Sequence, residues 1–320
     1  MIYLLVTNFG AHTFSEYIPD WAGELGPQLQ VHTYESLLRW PPPVAASYIF
    51  SDLERLTHAQ LEIVRDFADH VEKTLPDARI LNHPLHALRR IDLLTKLHAE
   101  GINRFRCHPV TRTPADLRFP VFLRFARRHD GPCTPLLADR HELVLATAQL
   151  ALAGNRLDEI LAVEFCDTRH ADGWFRKYSA FRIGDRVIAA HLIFSDAWVA
   201  KDGEPPDAAL RAEEMSFIES NPHEGELRHI FDLARIQYGR IDYSMLGDRP
   251  QVWEINTNPI LLKTRATYEA EAPQAIPLKE ALAKTLRSSL AAINTAASAA
   301  AHPGDQQIRM DKFLRVLNLE

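Results

Sequence analysis

The chain has 320 residues, of which 46% are hydrophobic and 24% charged, and its formal net charge is −6. This length and composition are typical of a globular protein with two or three domains. The acidic balance argues against nucleic acid as the main partner, because phosphate backbones are bound by clustered basic surface. No apolar run approaches the roughly 18 residues of a membrane-spanning helix, so we expect no membrane partner.

The cysteine content and the amino terminus indicate a compartment. Cys107, Cys133 and Cys166 are widely spaced and odd in number, which predicts neither a disulfide framework nor a zinc site. A reducing, cytoplasmic location follows from that usage. The first ten residues, MIYLLVTNFG, lack the basic flank and cleavage site of a signal peptide and are typical of a strand.

The first 88 residues are predicted to form a small open α/β domain. Residues 2–7 and 47–51 are typical of buried strands, and residues 56–73 have the apolar periodicity of a helix. The loop at residues 8–11 is not a dinucleotide fingerprint. We therefore assign no cofactor to this domain.

The next part of the chain alternates helices and strands. A helix is predicted from about residue 88 to 99, with a stop at Gly101, and a strong strand covers residues 119–126. A helix from about residue 139 to 153 opens with a capping box, and residues 160–166 are typical of a buried strand. This unit is predicted to end near residue 166.

Two strands and a helix precede the most informative segment. Residues 175–183 and 186–193 are predicted to pair as a hairpin through a turn at Gly184 and Asp185. The helix at about residues 226–236 places four apolar residues at i, i+3, i+4 and i+7, which is the pattern of a core-facing stripe.

Other segments are predicted to be loops or extensions. The proline run at residues 41–43 is typical of a rigid loop, and residues 202–206 of an exposed one. The basic residues at 127–129 are typical of a solvated run. An alanine-rich helix is predicted from residue 278 to 301, and residues 308–317 form a short amphipathic end that either docks or stays free.

The segment from Tyr238 to Ile260 is predicted to form two strands joined by a short turn. Asp242 lies on the first strand, and Glu254 and Asn256 lie on one face of the second. A two-residue turn would put Asp242 opposite Ile255, whereas an odd loop or a bulge puts it opposite Glu254. We favour an odd loop over residues 247–249, because it gathers the polar residues on one face.

This polar face suits a hard cation. Opposed carboxylates repel each other, and a cation between them reverses the sign of that interaction. The oxygen donors of Asp242, Glu254 and Asn256 are those that magnesium prefers, and Arg240 on the same face could bind a phosphate. The alternative is an ordinary hairpin with a solvated polar face.

The residues R-I-D-Y, a short turn and W-E-I-N-T-N-P resemble the metal-binding end of the ATP-grasp superfamily. The family pattern is approximately R-x-D, a hydrophobic strand, then E-x-N-x-x-P. The resemblance implies that Asp242, Glu254 and Asn256 hold the magnesium ions of ATP, and that Arg240 contacts phosphate.

Weaker matches upstream occur in the family's order. The segment N-H-P, a helix and Gly101 resembles a junction whose lysine points at the phosphates, and that position holds Arg90. The strand F-P-V-F-L-R-F-A resembles the strand before a glycine-rich phosphate loop, with Arg124 at the lysine position. Both arginines keep the positive charge, but only one glycine, Gly131, lies in the following loop. A solvated helix arginine remains the alternative for Arg90.

The resemblance also suggests residues around the base and the second substrate. It places Glu164, Phe165 and Cys166 at the hinge that borders adenine, and Asp167 near the ribose; Phe165 and Cys166 would also suit any core. Lys201 falls where the family often has a phosphate-binding lysine. Two residues after Pro259 fall where the acceptor substrate usually binds, or else lie on the surface; they are Lys263 and Arg265.

The resemblance implies an α/β (α+β) ATP-grasp architecture in three parts. These are an amino-terminal α/β domain at residues 1–88, a central lid subdomain at residues 89–166 and a carboxyl-terminal subdomain at residues 167–320. The implied activity is an ATP- and magnesium-dependent ligase that joins a small-molecule or peptide carboxylate, through an acyl-phosphate, to an amine or thiol. A kinase that stops at phosphoryl transfer and a nucleotide-binding module without turnover are the alternatives, and a homodimer is a candidate assembly.

Overall fold

The computed structural model describes residues 1–39, 44–201, 205 and 207–294. The predicted loop at residues 41–43, most of the predicted loop at residues 202–206 and the amphipathic end at residues 308–317 lie outside these residues. None of the helices in the described ranges is both long and apolar enough to cross a membrane.

The amino-terminal sheet is parallel throughout, with four strands in the order β2-β1-β3-β4. The predicted strands near residues 2 and 47 are confirmed, and the sheet also recruits two short strands that have no strong pattern. Parallel neighbours need crossover connections, which helices provide here. The elements are β1 (Ile2–Val6), α1 (Thr13–Trp21), β2 (Leu29–Thr33), β3 (Ser47–Phe50), α2 (His58–Thr74) and β4 (Arg79–Leu81).

The middle sheet is antiparallel, with three strands in the order β5-β7-β6. Its two longer strands and both flanking helices are confirmed predictions. The side chain of Asp139 accepts a hydrogen bond from the amide of Glu142, so the predicted cap begins the second helix. The elements are α3 (Arg90–Ala99), β5 (Cys107–Pro109), β6 (Val121–Phe125), α4 (Arg140–Leu152) and β7 (Ile160–Glu164).

The carboxyl-terminal sheet is antiparallel, with four strands in the order β11-β10-β8-β9. Both predicted hairpins are present, and the predicted alanine-rich helix is described as far as Ile293. The elements are β8 (Phe175–Ile183), β9 (Arg186–Ser195), α5 (Ala208–Ser220), α6 (Glu224–Ala234), β10 (Tyr238–Leu246), β11 (Arg249–Asn256), α7 (Arg265–Glu271) and α8 (Ile276–Ile293).

A single buried residue, Asn82, ties the first sheet to the third. Its backbone is left-handed, with φ of 57°, and its side chain is fully buried. The Asn82 amide donates to the carbonyls of Phe50 and Tyr238 at 3.1 and 2.6 Å, and its oxygen accepts from the amides of Gln237 and Tyr238. These bonds set the position of β10 relative to β3, and the apolar core continues from β1 through Tyr238 to α8.

Candidate functional site

The register of β10 and β11 brings the predicted polar residues together. Asp242 pairs with Glu254 and Arg240 with Asn256, so all four side chains share one face. The predicted odd loop is wrong, because Leu246 pairs with Arg249 across a two-residue turn whose Gly247 has φ of +58°. A bulge at Trp253 changes the register instead. The requirement for an odd loop or a bulge is therefore met by the bulge.

A cleft of about 340 Å³ lies between the middle and carboxyl-terminal sheets. Eight of the predicted site residues line it: Arg124, Phe165, Cys166, Lys201, Arg240, Asp242, Glu254 and Asn256. Its remaining walls include Lys177, His129 and Gly131. A β-carbon on Gly131 would lie 3.2 Å from Cε of Lys201, so this glycine lets the loop and the lysine approach each other.

Five predicted site residues do not line the cleft. Arg90 and Glu164 are buried behind its walls, and Asp167 is exposed and accepts a hydrogen bond from the amide of Arg169. Lys263 pairs with Glu271 at 3.0 Å on the surface, and Arg265 pairs with Glu280 and covers the ring of Trp21 at 5.1 Å. The two residues predicted for the acceptor are thus held in surface contacts away from the cleft.

Glu254 is the most strongly paired group of the cleft. Its Oε2 accepts from Nη2 of Arg90 and, at 2.5 Å, from Nη2 of Arg124, and Nδ1 of His129 lies 3.5 Å from Oε1. Burial by itself raises the pKa of this carboxyl, but the two guanidinium groups outweigh it and hold the pKa well below the usual range. Glu254 is therefore an anion at neutral pH.

Asp242, on the opposite strand, is paired with different cations. Its oxygens lie 3.0 Å from Nε of Arg240 and 3.8 Å from Nζ of Lys177. Each of the two opposed carboxylates is thus balanced by its own basic neighbours, which removes the repulsion expected between them.

The oxygen atoms on this face are of the type that magnesium prefers as ligands. Magnesium binds through one or two carboxylates and fills its remaining positions with water and phosphate oxygens. Asp242 and Glu254 supply the carboxylates, and Asn256 supplies an amide oxygen that accepts from the amide of Asn258 at 2.8 Å. Within the described residues no group of three or more His, Cys, Asp or Glu side chains is arranged to hold a metal, so phosphate oxygens would be needed to complete the shell.

Aromatic side chains line the other end of the cleft. The ring of Trp198 lies 5.0 Å from that of Phe122 and 5.8 Å from that of Phe165 in an edge-on arrangement, and Cys166 lies beside them. Trp253, the bulged residue, also lines the cleft and stacks on Phe105 at 5.0 Å. Trp198 and Phe122 were missed by sequence reasoning, because nothing local to either residue indicates which rings meet across two sheets.

Comparisons with known proteins identify the fold. No protein-family profile matches the chain, and no curated protein matches it. Among solved structures, the D-alanine–D-alanine ligase from Bacillus anthracis complexed with ATP matches with a TM-score of 0.52 and 11% identity, over 91% of this chain and 98% of that chain. The chain has the ATP-grasp fold.

Two further structures are similar at lower scores. The D-alanine–D-alanine ligase from Coxiella burnetii matches with a TM-score of 0.49 and 10% identity, over 100% of this chain and 99% of that chain. A RimK domain ATP-grasp protein from Sphaerobacter thermophilus matches with a TM-score of 0.46 and 13% identity, over 91% of this chain and 100% of that chain. The match to the ligase from Bacillus anthracis shows the fold alone, and the predicted domain boundaries and site residues stay predictions.

The segment predicted as the ATP-grasp hinge contains a buried ion-pair cluster. Glu164 is 1% exposed and accepts from Nε of Arg106 at 2.8 Å, from Nη2 of Arg118 at 2.7 Å and from both backbone amides at 2.9 Å. Burial raises the pKa of Glu164, but the two arginines outweigh it and lower the pKa to about 2. Glu164 therefore ties the end of β7 to the backbone and side chains of Arg106 and Arg118, while Phe165 and Cys166 face the cleft.

We expect Glu164→Gln to destabilise the protein at neutral pH by about 1–3 kcal/mol, since the carboxyl pKa is lowered to about 2 on folding and solvent around the exposed Arg118 screens part of that stabilisation. A carboxyl with a lowered folded pKa stabilises above its unfolded value and loses that contribution as pH falls towards the folded value. The difference from the wild type should therefore shrink between pH 4.5 and 2. Urea unfolding at several pH values, with Glu100→Gln at an exposed pair as control, measures it; a pH-independent difference would contradict the ionic role.

Proposed function

We propose that the protein is an ATP- and magnesium-dependent ligase that joins a carboxylate to an amine or thiol. The observation that carries this proposal is the pair of opposed carboxylates of Asp242 and Glu254 in one cleft. Three basic side chains surround the pair: Arg124, Lys201 and Arg240. Such a site matches a polyphosphate chain in charge and a magnesium ion in donor type. The ATP-grasp fold supports the same conclusion.

The two ends of the cleft suit the two ends of ATP. The rings of Phe122, Phe165 and Trp198 offer an apolar wall of the kind that adenine packs against. The basic groups of Arg124, Lys201 and Arg240 lie with the carboxylates and suit the phosphates. Asp167 is exposed and does not line the cleft, and we retain it only as a ribose contact to be tested.

Magnesium would be held by Asp242, Glu254 and Asn256. When bound, it would neutralise phosphate charge and so favour attack on the γ-phosphorus. Asp242 accepts from Arg240 and Glu254 from Arg124, so the same carboxylates that suit the metal also orient the guanidinium groups. No side-chain nucleophile is required for this chemistry.

The protein's own residues contribute mainly position and charge. Arg124 is 7% exposed and Arg240 is partly buried, so their guanidinium groups act in a medium of reduced polarity and interact strongly with phosphate oxygens. The acceptor carboxylate would attack the γ-phosphorus, the β–γ bridging oxygen would leave with ADP, and an amine or thiol would then displace phosphate from the acyl group. Holding these reactants in line is the main catalytic demand.

Lys177 is the best-placed residue for the acceptor carboxylate. It lines the cleft beside Asp242, whereas Lys263 and Arg265 are held in surface pairs. A cation next to the metal carboxylates can hold a second carboxylate close to the γ-phosphate. Because the compared structures include D-alanine–D-alanine ligases, amino acids and dipeptides are the first substrates to test.

We expect sustained ADP release when the full chain is given ATP, magnesium and a suitable acid and amine together. N-acetylated amino acids offer a carboxylate without an amine, and amino acid amides offer an amine without a carboxylate. A panel of both therefore tests the need for the carboxylate and the need for the amine separately. A ligase releases ADP continuously only when both are present, and omission of magnesium is the control.

Two results would overturn the ligase. Sustained ADP release with N-acetylated amino acids alone would indicate a kinase. Magnesium-dependent binding of ATP without ADP release across the panel would indicate a binding module. The binding can be measured by the quenching of Trp198 and Trp253 fluorescence.

A further inference from the structure

The loop that follows β6 is fastened by one buried side chain. Nη1 of Arg90 donates to the carbonyls of Phe125, Ala126 and Arg128 at 2.8, 2.7 and 2.7 Å. Arg90 begins α3 and is 5% exposed, so it reaches this loop from behind the cleft. Three carbonyls of one loop thus converge on a single guanidinium nitrogen.

The other nitrogen of the same guanidinium faces the site. Nη2 of Arg90 donates to Oε2 of Glu254, the carboxylate that also accepts from Arg124. Nη1 is committed to the loop and Nη2 to Glu254, and Nη2 also lies 3.3 Å from Nδ1 of His129 in that loop. Arg90 does not line the cleft. Only its buried Nε lacks a partner within the described residues. Arg90 is therefore arranged to hold two parts of the site together, with no free face for a phosphate.

The loop is fastened at a second point by His129. Nε2 of His129 lies 3.0 Å from Oε1 of Glu54, a buried residue that follows β3, and Nδ1 lies 3.5 Å from Glu254. Glu54 also accepts from the hydroxyl of Thr257 at 2.6 Å. His129 thus lies between the buried carboxylates of Glu54 and Glu254 and contacts both. The interpretation of residues 127–129 as a solvated run is therefore wrong at His129.

We infer that Arg90 is a positioning residue that anchors residues 125–129 and Glu254 around the nucleotide phosphates without touching the nucleotide. This inference rests on the proposed function for its catalytic consequence. It differs from the role implied by the ATP-grasp resemblance, in which this position contacts phosphate. The tie through His129 and Glu54 links the anchored loop to the amino-terminal sheet.

The type of side chain matters for this role. A guanidinium is a rigid planar fork, so one Arg90 can serve loop carbonyls with one nitrogen and a carboxylate with the other. An ammonium is a compact point charge on a flexible stem, and it can approach a phosphate but does not span the two groups in the same way. Lysine at position 90 should therefore preserve charge and lose the anchor.

The test measures the loop and the nucleotide separately. Hydrogen exchange of the amides at residues 126–133 is recorded in the nucleotide-free full chain for the wild type, Arg90→Met, Arg90→Lys and Arg182→Met. Arg182 is the matched control, because it is equally buried and donates to the carbonyl of Gly184 and to Asp232, away from the cleft. The kcat and the KM for ATP are then measured for each variant with the substrates found active.

We expect Arg90→Met and Arg90→Lys to speed exchange in the loop by at least about tenfold, since local opening becomes easier. Arg182→Met should leave exchange in this loop unchanged, although its overall stability falls. Both Arg90 variants should lose about 10²-fold in kcat/KM, because small displacements of positioning groups cost about that much. In Arg90→Lys the loss should fall on kcat as well as on KM, because the retained charge does not restore the geometry.

Two outcomes would overturn the inference. Wild-type exchange in the loop of Arg90→Met would show that Arg90 does not anchor it. Wild-type ATP affinity and kcat in Arg90→Lys, with a fast-exchanging loop, would show that the residue acts through charge on the phosphates. If instead the wild type neither binds nor turns over ATP while Arg90→Met frees the loop, the proposed function fails and the anchor stands.

Discussion

Replacing Asp242 with asparagine is expected to lower ADP release by about 10²-fold or more, the loss typical of removing one electrostatic group from a reactive centre. Asparagine keeps the size of the side chain and can still accept from Arg240, but it lacks the charge that suits magnesium. The fold should lose less stability than in Glu254→Gln, because both partners of Asp242, Arg240 and Lys177, are partly exposed and stay solvated when its charge is removed. The concentration of magnesium needed for half-maximal activity should rise.

The experiment compares Asp242→Asn with Asp232→Asn. Asp232 also pairs with an arginine, Arg182, but it is exposed and lies away from the cleft. ADP release against magnesium concentration and a thermal melt are measured for both variants. If Asp242→Asn keeps wild-type ADP release and wild-type magnesium dependence, the assignment of Asp242 to the metal is wrong.

Replacing Glu254 with glutamine is expected to lower the free energy of unfolding by about 3–5 kcal/mol, the usual cost of removing one partner from a buried ion pair. Arg90 and Arg124 are 5% and 7% exposed, so both guanidinium groups would lose their shared counter-charge. A metal ligand on an exposed hairpin would show no such effect. A measurement of activity alone would therefore not detect that Glu254 also stabilises the fold.

The pH dependence follows from the lowered pKa of Glu254. Its carboxyl stabilises the fold above its ordinary value of 4.5, and that contribution is lost as pH falls towards the much lower folded value. The gap between wild type and Glu254→Gln should therefore be largest near neutral pH and close in acid. Urea unfolding of the wild type and the variant from pH 7 down to pH 3 measures this gap.

A second variant protects the conclusion if Glu254→Gln does not fold. In Glu254→Gln/Arg90→Met one of the two buried cations is also removed, so the double variant should lose less than the sum of the single losses. Additive losses, or a loss below about 1 kcal/mol in Glu254→Gln, would contradict the shared ion pair.

The ATP-grasp architecture was implied by the resemblance of its motifs, whereas local patterns predicted most of the individual strands and helices. The strands at β1, β3, β6 and β7 and the helices α2, α3 and α4 follow apolar periodicity that nothing in the tertiary structure overrides. Short strands such as β2 and β5 were missed, because β5 has only three residues and β2 has one buried residue, so neither carries a clear apolar pattern. They form where a neighbouring strand offers its free edge.

The predictions for individual side chains depended on distance along the chain. The resemblance placed Phe165 and Cys166 beside the base, and both line the cleft. Glu164 was assigned to the base, but it faces Arg106 and Arg118, which are 58 and 46 residues away in sequence. Lys263 and Arg265 were assigned to the acceptor, but Glu271 and Glu280 hold them on the surface. No local pattern reveals such partners.

The sequence alone determined that Glu254 and Asn256 share one face of the second strand of a hairpin, because side chains alternate along a strand. It also determined that an odd loop or a bulge was needed to oppose the two carboxylates. Only the tertiary structure decided that the bulge is at Trp253, and that Arg90 anchors a loop and shares Glu254 with Arg124. The contacts of Glu254 join residues 164 and 130 positions apart, and those between Arg90 and the loop join residues 35 to 38 positions apart. Alternation along a single strand constrains neither.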